Sequence, residues 1–475
     1  MTTAAAPARA LAEIRPSERQ LAWQEMEFYG FIHFGMNTMT DREWGEGHDA
    51  PALFDPAGLD ADQWVASLKS AGMTGVILTC KHHDGFCMWP SDATDYSVAS
   101  SPWRGGKGDV VAEVADAARR HGLKFGVYLS PWDRTEASYG SGSAYDDFYV
   151  AQLTELLTRY GPVFSVWLDG ANGEGPNGKR QVYDWERYYA VVRELQPDAV
   201  INVCGPDVRW CGNEAGETRP DEWSVVPRAL QNAERTASVS QQADDGAFSR
   251  LVRSDDRDLG SRAALAGHES DLVWYPAEVN TSIRPGWFHH TAEDTEVRSA
   301  DELFTIYRRA VGGNSCFLLN VPPAADGRLR DADVAALGGL GRRIEEFRSR
   351  RIGASATVTS GAPGDVATAW PGKAKAPWRP DGTDTRPTVT LTFGGPRLIE
   401  AVVLGEDITQ GQRVEHVVVR GGRGGEWTTL AETRAVGYQR ILTFPAAEVD
   451  TVEFAITATR DTPVVARVAA IGAGS

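Results

Sequence analysis

Several things are missing from this chain, and each absence narrows what it can be. No stretch of the 475 residues reaches the apolar length that a membrane-crossing helix needs. The N-terminal MTTAAAPARALAEIRPSERQ has neither a basic start nor a long apolar run, so it does not read as a secretory signal, and a cytoplasmic location is expected. Cysteines are few and odd in number: Cys80, Cys87, Cys204, Cys211 and Cys316, with no CxxC or Cys/His zinc spacing. That excludes a disulfide framework and points to reduced thiols. Basic residues are outnumbered, 48 Lys and Arg against 65 Asp and Glu, for a net charge of −17, which argues against nucleic acid or an anionic membrane as partner. No GxGxxG follows the first strand-like segment, which disfavours dinucleotide binding, and no serine or cysteine nucleophile motif is present. No cofactor and no resident metal are expected.

What is present is alternation. Phe28 to His33, Gly75 to Thr79, Lys124 to Leu129, Val163 to Leu168 and Ala199 to Val203 read as strands. Between and after them lie helix patterns at Leu59 to Ala71, Asp109 to His121, Tyr145 to Tyr160 and Tyr183 to Leu195. The pattern blurs between Gly205 and Ser270. It resumes with a strand at Leu272 to Tyr275, a helix at Ala300 to Val311, a strand at Cys316 to Leu319 and a last helix at Asp331 to Phe347. Repeated βα units of this number predict a (β/α)8-like TIM barrel over residues 1–350, with one unit missing or distorted. From residue 351 to 475 the texture changes to short alternating segments, such as Thr388 to Phe393, Ile399 to Leu404, Val414 to Val419 and Val452 to Thr457, broken by Gly, Pro and Asp turns. This predicts a C-terminal antiparallel β-sandwich.

Chemistry-bearing residues gather where barrel strands end, as a barrel active site requires. The clearest case is VFSVWLDG, a buried-strand pattern delivering Asp169 to a glycine-rich loop. His33 ends the first strand, with Glu43 and Trp44 in the loop beyond. KHHDGF, with Lys81, His82, His83 and Asp84, follows the second, and Tyr128 and Trp132 close the third. Glu214 stands in RWCGNEAG after the fifth, and WYPAEVNTSIRPGWFHH supplies Trp274, Glu278, Arg284 and Trp287. Singly each has a structural explanation: an aspartate caps a helix, a histidine is hydrogen-bonded in place, a tryptophan packs. In an extended chain His82 and His83 point to opposite faces, so only one would look into the barrel unless the chain bends there. Jointly, one strand-end acid, a second loop acid and several His and Trp fit glycoside hydrolysis with retention, in which one carboxylate attacks the anomeric carbon and a second acid protonates the leaving oxygen. A metal-dependent hydrolase using His33, His82, His83 and Asp169, and a non-catalytic glycan-binding protein, are the readings of other classes.

The motifs FIHFG, REWGEG, LTCKHHDGFCMWPS, LKFGVYLS and VWLDG, in this order, resemble the retaining α-L-fucosidases of glycoside hydrolase family 29. The resemblance implies Asp169 as nucleophile and a fucose pocket built from His33, Glu43, Trp44, His82, His83 and Tyr128. PDVRWCGNEAGETRPDEWSVVP is similar to the branch that cleaves α-1,3 and α-1,4 fucosyl linkages on branched sugars, which implies Glu214 as acid/base and Trp287 as the aromatic against the fucose methyl. Phe34 stands where many members carry Trp. The tail is similar to galactose-binding-like sandwiches of the discoidin type. The implied substrate is a fucosylated oligosaccharide. Glu278 is the reserve for the acid, and broad activity on aryl fucosides and α-1,2 linkages is the narrower alternative. Asp169 must stay ionised while Glu214 starts protonated, so a drier setting or the nearby negative charge is expected to raise the Glu214 pKa.

Overall fold

The computed structural model describes residues 8–240, 257–384 and 386–474. Strands Phe28–Ile32 (β1), Gly75–Lys81 (β2), Lys124–Leu129 (β3), Ser165–Leu168 (β4) and Val200–Val203 (β5) lie side by side in parallel. The helices Ala61–Ser70, Val110–His121 and Trp185–Leu195 lie among them, and each starts at an aspartate whose carboxylate accepts from a first-turn N–H: Asp60, Asp109 and Asp184. Val110, Val111, Val114 and Ala118 are buried, as the apolar spacing predicted. Burial stabilises by about 1.5–3 kcal/mol per large aliphatic side chain, so tertiary packing more than propensity holds this helix.

After β5 the regular alternation fails. Only Cys204 to Val208 connect it to the two-residue strand Arg209–Trp210 (β6), with no helix between. The connection is tight enough to hold Val203 at φ 67°, a left-handed conformation that a β-branched residue rarely adopts. Val225–Pro227 (β7) and Leu272–Trp274 (β8) then pair antiparallel in a separate two-stranded sheet. The Leu272 to Tyr275 strand therefore exists but is not a barrel stave. That place belongs to Ala277–Ser282 (β9), whose sequence AEVNTS has too little apolar character to read as a strand: its Glu, Asn, Thr and Ser are buried among other polar groups. Ser315–Asn320 (β10) completes an eight-stranded parallel sheet in the order β5-β4-β3-β2-β1-β10-β9-β6. A single parallel bridge, Asn202 to Val208, draws β5 and β6 together and nearly closes the barrel.

The helix Asp331–Ser349 ends the barrel. Beyond it Ser355–Val358 (β11), Thr388–Glu406 (β12), Val414–Arg423 (β13), Glu426–Thr433 (β14), Arg440–Thr459 (β15) and Val465–Gly472 (β16) form the antiparallel sandwich. Thr388 to Phe393 and Ile399 to Leu404 belong to one 19-residue strand, β12, interrupted by register shifts at Thr392/Arg397 and Ile399/Ala401. Such irregularities bend a long strand without ending it. All five cysteines are buried and unpaired.

Candidate active site

The C-terminal ends of the barrel strands carry the predicted cluster. Asp169, directly after β4, receives the Tyr128 hydroxyl on Oδ2 at 2.8 Å and the Ala171 backbone N–H on Oδ1 at 2.8 Å. His83 Nε2 lies 3.8 Å from the same Oδ2. The aspartate side chain keeps 22% of its surface exposed, so it is held from behind and open in front. The Trp287 indole N–H donates to Glu214 Oε2 at 2.7 Å. A run of aromatic contacts joins the two acids: Tyr128 to His33, 6.0 Å between ring centres, and His33 to Trp287, 5.0 Å. Phe31 and Trp167 form the floor beneath them, touching Tyr128 at 5.8 and 5.5 Å.

Both His82 and His83 reach this mouth. β2 ends at Lys81, and the chain turns at once, with Gly85 N–H bonding to the His82 carbonyl and Gly85 at φ 90°. The bend removes the extended-strand alternation, and the two rings lie 4.0 Å apart at 35°.

Each histidine is oriented by a buried polar residue that sequence reasoning did not single out. Asn320 donates from its amide nitrogen to the Trp287 carbonyl and the Ser282 hydroxyl, so its oxygen accepts from His33 Nδ1 at 2.8 Å. Ser130 donates to the Trp132 carbonyl and so accepts from His83 Nδ1 at 2.7 Å. Asn37 accepts from Gly45 N–H and donates to the Glu43 carbonyl and to His82 Nδ1 at 2.9 Å. A Cβ on Gly45 would lie 2.4 Å from that Asn37 oxygen, which is why REWGEG has glycine there. These networks assign the tautomers: His33 and His83 offer a bare Nε2 acceptor, and His82 offers an Nε2–H donor. Burial favours the neutral ring in all three, holding His33 at about 3 and His83 at about 4, with His82 also well below the usual value.

Glu43, implied as a sugar-binding residue, also ties down a neighbouring loop. Its carboxylate accepts the backbone N–H groups of Trp287 at 2.5 Å and Phe288 at 3.2 Å, and His290 Nε2 at 3.0 Å. Glu43 thus clamps the loop carrying Trp287. The hydrogen bond and charge of Glu43, with Asp41 on the other ring nitrogen, push His290 up to about 9. Trp44 stands edge-on to His83 and Trp132, at 5.9 and 5.8 Å, on the rim.

Of the WYPAEVNTSIRPGWFHH cluster only Trp287 reaches the acids. Trp274 packs with Leu11, Val225 and Ile408 in a separate core. Arg284 is sealed between Asp333 and Asp294. Glu278 is fully buried inside the barrel, where it accepts from Tyr29, from Trp167 Nε1 at 2.8 Å and from Asn202 at 2.7 Å. With three donors engaged and no exposed surface it cannot deliver a proton to a leaving group, which removes it as the reserve acid. Among the described residues no group of three or more His, Cys, Asp or Glu side chains is arranged to hold a metal ion.

The α-L-fucosidase family pattern matches residues 15–347, which spans the whole barrel and both acids. The chain belongs to that family, glycoside hydrolase family 29. The α-L-fucosidase 1 of Arabidopsis thaliana is 40% identical to this fucosidase over 440 residues, 90% of this chain and 81% of the plant protein. A solved glycoside hydrolase 29 family member from an unknown rumen bacterium shares 35% identity and a TM-score of 0.80, covering 98% of this chain and 78% of that one. A Ruminococcus gnavus GH29 fucosidase in complex with fucose superposes with a TM-score of 0.84 at 27% identity, over 98% and 96% of the two chains.

Proposed function

We propose that this fucosidase is a retaining exo-enzyme that releases terminal L-fucose from α-1,3 and α-1,4 linkages on branched oligosaccharides, with Asp169 as nucleophile and Glu214 as acid/base. The observation that supports this reading is that both acids are held at one barrel mouth, linked through Tyr128, His33 and Trp287. Asp169 is gripped from behind by Tyr128 and Ala171, and Glu214 is steered by the Trp287 indole across the aromatic run. Retention needs two carboxyl groups on opposite sides of one sugar. Asp169 attacks the anomeric carbon while Glu214 gives its proton to the departing glycosidic oxygen. Water deprotonated by Glu214 then cleaves the fucosyl ester and restores both groups.

The pocket around this chemistry is made of neutral hydrogen-bonding groups. The bare Nε2 atoms of His33 and His83 accept from sugar hydroxyls, and His82 Nε2–H donates to one. His83 Nε2 and Asp169 Oδ2, both acceptors 3.8 Å apart, suit a shared hydroxyl donor between them. Neutral imidazoles leave Asp169 as the local negative charge facing the cationic transition state. Trp287 offers its ring face to the fucose methyl while its N–H holds Glu214.

The test compares fucose release from an aryl α-L-fucoside and from a Lewis-type branched trisaccharide, with the anomer first formed read by NMR. Retained configuration and preferential trisaccharide release support the reading. Inverted product removes Asp169 as nucleophile, and preference for the aryl or an α-1,2 substrate replaces the linkage-selective reading with the broad one.

A further inference from the structure

Away from the barrel mouth, the seam between barrel and sandwich holds a half-open polar cavity of about 400 Å3. One wall continues from the Glu214 loop with Glu217 and Arg219. A second is the helix Ala300–Val311, with Arg308 and Arg309, and the third is Arg440 at the start of β15. Four arginines thus face one glutamate, in a chain whose net charge is −17. Such a local inversion of sign concentrates anions.

The four are not equally satisfied. Arg219 is paired with Glu222 at 3.1 Å, and Arg309 with Glu217 at 3.4 Å. Arg308 and Arg440 have no carboxylate within 4.0 Å among the described residues. Arg308 lies over the Phe304 ring at 5.0 Å, and Arg440 donates one terminal nitrogen to the Pro220 carbonyl. The buried Nε–H of each has no hydrogen-bond partner. Burial lowers the pKa of both, against the opposing charges of Glu400 near Arg308 and of Asp221 and Glu222 near Arg440. A guanidinium that no carboxylate touches keeps unused donors, and its planar fork matches the oxygens of a phosphate or sulfate group.

We infer that this seam cavity is a binding site for an oxyanion of the phosphate or sulfate class, held chiefly by Arg308 and Arg440. The group arrives either as the free inorganic ion or as a sulfate ester on a glycan. The site is distinct from the pocket around Asp169, and its occupation requires no turnover.

Isothermal titration of the whole protein with sodium sulfate and sodium phosphate, at ionic strength fixed with chloride, tests this directly. The expected result is one saturable site, weakened about tenfold or more by Arg308→Gln and by Arg440→Gln, the loss of a charge-assisted hydrogen-bond pair. Arg343→Gln, on an exposed arginine outside the cavity, should leave binding unchanged. Arg308→Lys keeps the charge without the fork and should bind with intermediate affinity, which keeps the test readable if the glutamine variant fails to fold. A parallel titration with a sulfated monosaccharide separates the sources: tighter binding than inorganic sulfate assigns the site to glycan sulfate, and weaker binding assigns it to the free ion. Absence of saturable binding at millimolar anion, or wild-type affinity in both glutamine variants, overturns the proposal.

Discussion

Replacing Trp287 by phenylalanine separates the two roles assigned to this side chain. The Trp287 backbone is held independently of its ring, by Glu43 on the N–H and Asn320 on the carbonyl, so the loop should keep its place. An aromatic ring remains against Phe31 and His33. What disappears is the 2.7 Å bond to Glu214. A hydrogen bond to the neutral, protonated acid contributes about 0.5–1.5 kcal/mol. Both partners are half-buried and the bond is short, which places the effect at the upper end, about 1.4 kcal/mol, or about tenfold in rate. The loss should fall on the step that needs the proton. We therefore expect kcat/KM on a Lewis-type trisaccharide to drop about tenfold, and kcat/KM on an aryl fucoside with a good leaving group to change by less than about twofold. Steady-state kinetics on the two substrates, with a circular dichroism melt to confirm folding, provide the measurement. Equal losses on both would show that Trp287 acts through sugar binding alone, and no loss on either would refute the steering of Glu214.

Other expectations follow from the same geometry. Asp169→Ala should bind fucose and lose turnover by about 10⁴-fold or more, because a covalent route is removed; near-normal aryl fucoside hydrolysis would exclude it as nucleophile. Asn320→Ala strips the buried acceptor from His33 Nδ1 and a donor from the half-buried Trp287 carbonyl, and should cost about 2–3 kcal/mol in a urea titration while raising KM. The folded-state pKa values of His33, His82 and His83 lie below their unfolded value near 6.5. The unfolded chain therefore takes up protons first, and stability present above 6.5 is lost as pH falls towards 4 and 3, by at most about 1.4 kcal/mol per unit for each ring. Chemical denaturation across pH 4–7 should show this slope, reduced in His33→Gln. His290 works in the opposite sense: its raised pKa supports the folded loop below 6.5, and that support fades as pH rises through about 9, by an amount that partial exposure keeps small, so His290→Gln should flatten the alkaline side of the stability profile. Arg460→Ala removes a cation 4.2 Å over Trp223 and a partner of Glu415, and should lower the melting temperature while impairing the trisaccharide more than the aryl fucoside, because Trp223 follows the Glu214 loop.

Much of the molecule was legible in the residues themselves. Aspartate caps and apolar spacing mark the helices, β-branched runs mark β2 to β5, and VWLDG and KHHDG name the acid and histidines at strand ends because local order fixes which residue follows a buried strand. Short-range pattern does not register distant partners, and there the reading stopped. AEVNTS looks like no strand, since a buried carboxylate in it, Glu278, is satisfied only by groups across the barrel, Tyr29, Trp167 and Asn202. The turn after Lys81 that brings both histidines to one side depends on Gly85 and its setting. Asn37, Ser130 and Asn320 are unremarkable letters until the fold places each against an imidazole and so decides which nitrogen carries the proton. Residue order along the chain thus determined the barrel, the sandwich and the chemical types at the mouth. Tertiary structure alone decided the tautomers, the use of Glu43 as a clamp and the enclosure of Glu278, because hydrogen-bond partners and burial come from segments separated by up to hundreds of residues.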